Sequence, residues 1–254
     1  MTALDDLEAQ ITTCRRCPRL VAWREEVGRV KRASFAHETY WARPIPGFGD
    51  PDASVVIFGL APAAHGGNRT GRVFTGDRSA DFLYAGLHRA GFANQALSVS
   101  RDDGLRVTDA WVTAAVRCAP PANRPTPAER DTCLGWARQE LALLPGARIV
   151  VCLGGFAWDA ALRLHAPMPR PKPRFGHGAE TDIGPFTLLG CFHPSQQNTF
   201  TGVLTPPMLD AVLARAQGRA GGVSYSPAST RARASTASSI GGVSTPVNVF
   251  CCDG

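Results

Sequence analysis

The fold is decided by residues 54–77, which read SVVIFGLAPAAHGGNRTGRVFTGD. Residues 55–58 are β-branched or aromatic, the pattern of a strand buried on both faces of a parallel sheet. The loop that follows holds four glycines, so its backbone N–H groups can approach a ligand closely. Ligands of open parallel sheets bind beyond the carboxyl ends of the strands, and this loop is therefore predicted to line an active site.

The same loop has no carboxylate between Gly59 and Gly76, and its only hydroxyls are Thr70 and Thr75. Any acid–base chemistry must therefore come from elsewhere, and Asp77 is the nearest acid in sequence. Residues 65–68, HGGN, are superficially similar to the oxyanion loop of an esterase. No Gly-x-Ser-x-Gly nucleophile motif occurs in the chain, which argues against an esterase.

Composition indicates a globular protein with an anionic partner. The chain has 254 residues, is 44% hydrophobic, and contains no apolar stretch long enough to span a membrane. Its acidic start is unlike a signal peptide, so we expect a reducing cytoplasmic location, in which the cysteines do not form a disulfide framework. The net charge of +6 and the pI of about 9.1 favour a polyanion such as a nucleic acid.

Apolar runs alternate with helical patterns along the chain, and this alternation predicts an α/β fold with a parallel sheet covered on both faces. We predict one domain over residues 1–218 and a disordered Ser/Gly/Ala-rich tail over 219–254. The predicted strands are 55–58, 111–116, 149–153 and 186–191. The predicted helices are 3–13, 79–90, 126–144, 155 to about 165, and 205–213.

Two pairs of cysteines predict a site with four thiolates. Cys14 and Cys17 form a C-x-x-C motif, and fourteen residues separate Cys118 from Cys133. Zinc and a [4Fe–4S] cluster both accept four thiolates, and spacing alone does not separate them. The second gap is wider than in the C-x-x-C pairs of zinc ribbons, which favours iron–sulfur.

Three segments resemble family 5 of the uracil-DNA glycosylase superfamily. They are residues 59–77, residues 117–125 (RCAPPANRP) and residues 193–205 (HPSQQNTFTGVLT). The resemblance covers roughly residues 10–217 and includes the four cysteines. It implies an α/β/α sandwich with a central four-stranded parallel sheet and a [4Fe–4S] cluster. It also implies a monomeric enzyme that removes deaminated bases (uracil, and also hypoxanthine and xanthine) from double-stranded and single-stranded DNA.

The resemblance implies a set of base-binding residues, because a base in a duplex must be flipped out before an enzyme can reach it. Phe74 would stack on the flipped base, and the alternative is a plain core aromatic. Asn123 would read the base edge with its amide, and the alternative is loop chemistry before Arg124. The backbone N–H groups of Ala61 and Ala63 would contact the base.

His193 and Asp77 are the predicted catalytic residues. His193 follows the last predicted strand and would donate a hydrogen bond to the base oxygen as negative charge develops there; the alternative is that it only shapes the loop. Asp77 would stabilise the cationic sugar, and the alternative is that it caps the following helix. Related families place an acidic or amide side chain where this chain has Leu60 and Ala61.

The segment after His193 carries two apolar candidates for insertion into the duplex. Leu204 is the first choice and Phe200 the second, because apolar wedges stabilise distorted DNA. The alternative is that Leu204 packs against the last helix. A rival function is a non-catalytic iron–sulfur or zinc module that binds nucleic acid; it explains the charge and the cysteines but leaves the glycine loop and the His193 segment unexplained.

Overall fold

Four parallel strands form the centre of the sheet in the computed structural model, which describes residues 2–221. The strands are β1 (Phe48–Gly49), β2 (Val55–Gly59), β3 (Ala110–Ala114), β4 (Ile149–Leu153), β5 (Glu180–Ile183) and β6 (Phe186–Cys191). The helices are α1 (Ala3–Thr12), α2 (Pro18–Val30), α3 (Gly67–Thr70), α4 (Arg78–Arg89), α5 (Pro127–Ala142), α6 (Gly155–Ala161), α7 (Gln196–Phe200) and α8 (Pro206–Ala220).

The sheet has six strands in the order β1-β3-β2-β4-β6-β5. The predicted α/β fold with four parallel strands is confirmed for the centre, where β3, β2, β4 and β6 pair in parallel. Two further strands were not predicted, since β1 and β5 add an antiparallel strand at each edge. Both were missed because β1 has only two residues and β5 is a polar edge strand without an apolar run.

Helices cover both faces of the sheet, as in an α/β/α sandwich. The side chains of β2 alternate, so Val55 and Ile57 join the core under α4 and α8, while Val56 and Phe58 join the core under α5 and α6. Every residue of β2, β3 and β4 is buried. Burial on both faces explains why these strands read as continuous apolar runs instead of alternating ones.

Several boundaries differ from the sequence-based prediction. Helix α2 was not predicted. It begins at Pro18, directly after Cys14 and Cys17. The last helix runs to Ala220, beyond the predicted end at 213 and beyond the domain boundary at 218, so residues 219 and 220 belong to the fold. The rest of the predicted tail lies outside the described residues. None of the helices within residues 2–221 combines the length and apolar character needed to cross a membrane.

Candidate active site

The loops after β2, β3 and β6 open into one cleft of about 680 Å³ at the carboxyl ends of the parallel strands. This volume falls within the range of about 300–1,000 Å³ that is typical of small-molecule sites. The cleft brings together all the predicted catalytic and base-binding residues, namely Ala61, Ala63, Phe74, Asp77, Asn123 and His193.

Phe74 and His193 lie side by side in this cleft. Their ring centroids are 6.1 Å apart and the rings are tilted by 36°. The Phe74 ring also covers Gly59 at the end of β2, where a Cβ atom would lie 2.6 Å from the ring. Glycine at this position therefore lets an aromatic ring rest against the strand end. Phe74 is buried, as the core-aromatic alternative requires, and it still lines the cleft.

The backbone of Phe74 is strained, with a φ of 47°, in the left-handed region that non-glycine residues rarely adopt. A buried network fixes the residues on both sides of it. Arg72 forms an ion pair with Asp103 at 2.7 Å and donates to the Thr75 hydroxyl at 3.0 Å, and Thr75 contacts Ser98. Burial alone would raise the pKa of Asp103, but the hydrogen bonds from Arg72 and from backbone N–H groups lower it to about 2.

His193 is a neutral imidazole near pH 7, because burial lowers its pKa to about 4. Its loop is held in place by the Asn198 side chain, whose Nδ2 donates to the His193 carbonyl at 2.9 Å. Gly154 makes room on the other side, where a Cβ atom would lie 3.3 Å from the Cβ of His193. A neutral imidazole can donate one hydrogen bond without first taking up a proton.

Asp77 is both a helix cap and a residue of the cleft. Its Oδ1 accepts a hydrogen bond from the Ala80 N–H at 3.0 Å. This contact is the helix cap that the alternative role of Asp77 predicts. Its Oδ2 lies against Gly66, where a Cβ atom would be only 2.0 Å away. Burial raises the pKa of Asp77, and the backbone hydrogen bonds and the charge of Arg69 oppose that rise. The cap fixes one carboxylate oxygen and leaves the other beside the loop wall.

Asn123 reaches the cleft from a single 3₁₀ turn after β3. Ala122 and Asn123 both have positive φ, 52° and 55°, and two successive left-handed residues reverse the chain sharply. Asparagine tolerates this conformation better than most residues, so the loop-chemistry alternative accounts for the backbone. The exposed side chain of Asn123 also lines the cleft.

Leu204 does not lie where a wedge must lie, and the first choice for that role is wrong. The residue is fully buried and joins the core cluster that contains Leu209 and Leu213 of α8, as the alternative held. Removing a fully buried leucine side chain from a core costs about 2–5 kcal/mol, so it does not swing out freely. The second choice, Phe200, is 66% exposed at the end of α7, with the Arg78 guanidinium 5.4 Å from its ring centroid.

The four cysteines predicted to share a site line one small cavity with Trp136 and Leu20. N–H groups point at three of the sulfur atoms, as suits thiolates. The Arg24 Nη1 donates to the Cys118 Sγ at 2.9 Å, the Arg117 backbone N–H to the Cys133 Sγ at 3.2 Å, and the Arg16 Nε to the Cys14 Sγ at 3.4 Å.

Burial sets the protonation state of the cysteines around this cavity. Within residues 2–221, no group of three or more His, Cys, Asp or Glu side chains is arranged to hold one metal ion. Cys14, Cys17, Cys118 and Cys133 nevertheless surround a common space. Burial raises the pKa of Cys118 to about 11 and that of Cys133 to about 12, so without a metal these two side chains are neutral thiols.

Sequence reasoning missed one wall of the cleft. Arg32 and Phe35 line it from the irregular segment between α2 and β1, which carries no periodic pattern. His65 lines it too, and its Nδ1 lies 3.0 Å from the Tyr40 hydroxyl. Burial, followed by the charges of Arg32 and Arg69, lowers the pKa of His65. Only the basic and aromatic character of Arg32 and Phe35 could have indicated their role.

Comparison with known proteins identifies the class. The family described as the uracil DNA glycosylase superfamily matches residues 46–217, which contain the whole sheet and most of the cleft. The chain therefore belongs to the uracil-DNA glycosylase superfamily.

Individual relatives assign the chain to one family within the superfamily. A type-5 uracil-DNA glycosylase of Mycobacterium bovis is 58% identical over 218 residues, 85% of this chain and 81% of the relative. A type-5 enzyme of Thermus thermophilus is 53% identical over 83% of this chain and 95% of the relative. A type-4 uracil-DNA glycosylase of Archaeoglobus fulgidus is 31% identical over 62% of each chain. Within the superfamily, the chain is a member of the type-5 family.

The burial of His193 predicts an unusual titration. Its folded pKa of about 4 lies below the ordinary histidine pKa of 6.5, so the folded state binds fewer protons than the unfolded state between these values. Folding stability should therefore decrease as the pH falls from 6.5 towards 4. An NMR titration of the ring should show a midpoint near 4, and a midpoint near 6.5 would contradict the burial that the structure describes.

Proposed function

We propose that the chain is a monofunctional DNA N-glycosylase that hydrolyses the N-glycosidic bond of deoxyuridine in DNA and leaves an abasic site. The observation that carries this proposal is the cleft at the strand ends, where Phe74, Asp77, Asn123 and His193 meet. The similarity of the chain to type-5 uracil-DNA glycosylases supports it. The non-catalytic alternative would explain the cysteines and the charge but not this convergence of side chains.

Base recognition in the cleft requires the nucleotide to be flipped out of the duplex. The Phe74 ring offers a stacking surface beside His193. The amide of Asn123 supplies a donor and an acceptor on one group, which match the adjacent carbonyl and N–H of uracil. The backbone N–H groups of Ala61 and Ala63 add donors from the loop after β2.

Cleavage of the C1′–N bond sends its electron pair to the departing base and leaves positive charge on the sugar. His193, neutral and preorganised, donates a hydrogen bond to the base oxygen on which negative charge develops. Water then adds its oxygen to C1′ and loses a proton, which neutralises the negative charge of the departed base. Because bond cleavage itself needs no base, the absence of an acid at Leu60 and Ala61 is compatible with this reaction.

Asp77 stabilises the cationic sugar electrostatically when it is ionised. Its capping bond to Ala80 holds the carboxylate rigidly, and a fixed charge needs no reorganisation during the reaction. Its Oδ2 beside Gly66 is the oxygen that faces the glycine loop. The helix cap and the catalytic role therefore use different oxygen atoms of one side chain.

We extend the substrate range to hypoxanthine and xanthine. Leu60 and Ala61 stand where related families carry an acidic or amide side chain, and the cleft of about 680 Å³ has space for a purine. Purine substrates share with uracil an amide-like edge that Asn123 can read.

We also propose that Cys14, Cys17, Cys118 and Cys133 hold one [4Fe–4S] cluster. The common cavity and the N–H groups that point at the sulfur atoms support this proposal. The cluster would join the segment between α1 and α2 to the loop after β3, and it would place Arg15 and Arg16 towards DNA phosphates. Its contribution is structural when bound, and bond cleavage does not pass through it.

DNA of either form is the proposed partner. The net charge of +6 favours a polyanion, and we propose action on double-stranded and single-stranded DNA by a monomer. In a duplex, Phe200 would fill the gap left by the flipped base, since it is the exposed aromatic ring of the segment after His193. Arg78, over the same ring, would approach the neighbouring phosphate.

A base-release assay tests the proposed activity. Duplexes with one uracil, hypoxanthine or xanthine should each lose the base and gain an abasic site, measured under single-turnover conditions. If the duplexes with all three lesions remain intact, the result favours the alternative function, a non-catalytic module that binds nucleic acid. Release of uracil alone would restrict the substrate range without removing the activity.

Three variants separate the roles of the site residues in that assay. His193→Ala should slow release of every base by about a hundredfold, as for loss of one preorganised donor. Asn123→Ala should change the ranking of the three bases, because it removes the edge contact. Asp77→Asn should slow release while binding of damaged DNA persists. His88→Ala, on α4 and outside the cleft, is the matched histidine control. An unchanged rate in Asp77→Asn would show that Asp77 acts only as a helix cap.

The cluster proposal predicts a brown protein that contains iron and acid-labile sulfide. Purification without air, followed by metal analysis and an absorption spectrum, measures both. Cys17→Ser should lose the absorption, whereas Cys152→Ser, a buried cysteine inside β4, should retain it. A colourless, active protein with one bound zinc would contradict the proposal.

The wedge proposal predicts that Phe200→Ala weakens release from paired duplex much more than release from single strands. Val203→Ala is the control, because Val203 is an exposed apolar residue of the same segment. Melting temperatures accompany the rates. Leu204→Ala should instead lower the melting temperature, since that side chain belongs to the core. Equal losses on both substrates in Phe200→Ala would count against the wedge.

A further inference from the structure

Arg69 connects the two walls of the cleft without lining it. This buried residue of α3 donates from Nε to the His65 carbonyl at 2.8 Å and from Nη2 to the Gly76 carbonyl at 3.0 Å. Its Nη1 pairs with Glu38 at 2.5 Å, and its guanidinium lies 4.0 Å from the Phe35 ring centroid. One planar side chain thus joins the glycine loop to the segment that precedes α4.

The two carbonyls bound by Arg69 belong to the residues next to Gly66 and Asp77. These are the residues that touch across the cleft, since a Cβ on Gly66 would lie 2.0 Å from the Asp77 Oδ2. Gly76 is packed equally closely against the clamp, because its own Cβ would lie 2.4 Å from the Arg69 Nη2. The guanidinium therefore fixes the distance between the loop wall and the Asp77 carboxylate.

We infer that Arg69 is the positioning residue for Asp77 in the glycosylase reaction, which it serves by clamping the carbonyls of His65 and Gly76. The inference rests on the proposed function, in which Asp77 stabilises the sugar. Lysine should not substitute, because one ammonium group cannot reproduce the planar fork that spans two carbonyls. A displacement of about 1 Å in a catalytic group can cost about a hundredfold in rate, so the clamp matters for catalysis as well as for folding.

The charge of Arg69 supports the same role. Burial and the neighbouring Asp81 both raise the pKa of Asp77, while Arg69 and the backbone N–H groups of Ser79 and Ala80 lower it. Arg69 is thus the cation that favours the ionised carboxylate as well as the group that fixes its position.

A double-mutant cycle tests whether Arg69 acts through Asp77. Arg69→Lys should slow single-turnover uracil release about tenfold in the chain with Asp77, and by less than about twofold in the Asp77→Asn background. The control is Arg130→Gln, which removes an equally buried, ion-paired arginine on α5. That variant should lose stability but keep its rate.

Equal rate losses in both backgrounds would overturn the inference, and so would an Asp77→Asn protein with the wild-type rate. If Arg69→Lys does not fold, Arg69→Gln replaces it, because its single amide cannot donate to both the His65 and the Gly76 carbonyl. Its rate loss should likewise vanish in the Asp77→Asn background.

Amide hydrogen exchange gives a readout that needs no substrate and so separates this inference from the proposed function. The Ala80 N–H is capped by Asp77, so its protection reports the placement of the carboxylate. Arg69→Lys should speed exchange at Ala80 about tenfold or more, while the Arg130→Gln control should not. Unchanged protection at Ala80 would overturn the inference even in a chain that releases uracil, and failure of the wild-type chain to release uracil would count against the proposed function alone.

Discussion

Parallel pairing of β3, β2, β4 and β6 is the constraint on which the site depends. The register sets Gly59 opposite Ala114 and Leu153 opposite Cys191, so the strands end at one level. Segments more than a hundred residues apart in sequence therefore enter the same cleft.

Close approach at that edge requires unusual backbone conformations in the loops that form the cleft. Phe74, Ala122 and Asn123 have positive φ, and Gly59 and Gly66 leave no room for a Cβ. Such conformations persist only where the surroundings over-determine them. For Phe74 the surroundings are the buried pair of Arg72 with Asp103, together with the hydroxyls of Thr75 and Ser98. Because that network is satisfied internally, the ring is positioned before any substrate arrives.

The sequence could predict what depends on local pattern. The bounds of β4 and β6 follow from apolar runs, and the cleft residues follow from segments that each stand directly after a strand. Leu204 shows what sequence patterns cannot predict. An apolar residue in a polar segment gives the same pattern whether its side chain faces DNA or the core. Arg69 is a second example. Its role depends on two carbonyls and a glutamate brought together only by the fold, and no spacing in the sequence encodes them.

A continuous chain of contacts joins the cysteine site to the cleft. Arg24 of α2 donates to the Cys118 sulfur, and its carbonyl accepts from the Nδ2 of Asn68, the residue next to Arg69 in α3. Both Arg24 and Asn68 are almost fully buried, so neither contact is easily replaced by water. A group bound by the cysteines would thus stabilise α2, α2 supports α3, and α3 carries the clamp on Asp77. The proposed cluster therefore needs no part in bond cleavage to matter for the geometry in which bond cleavage takes place.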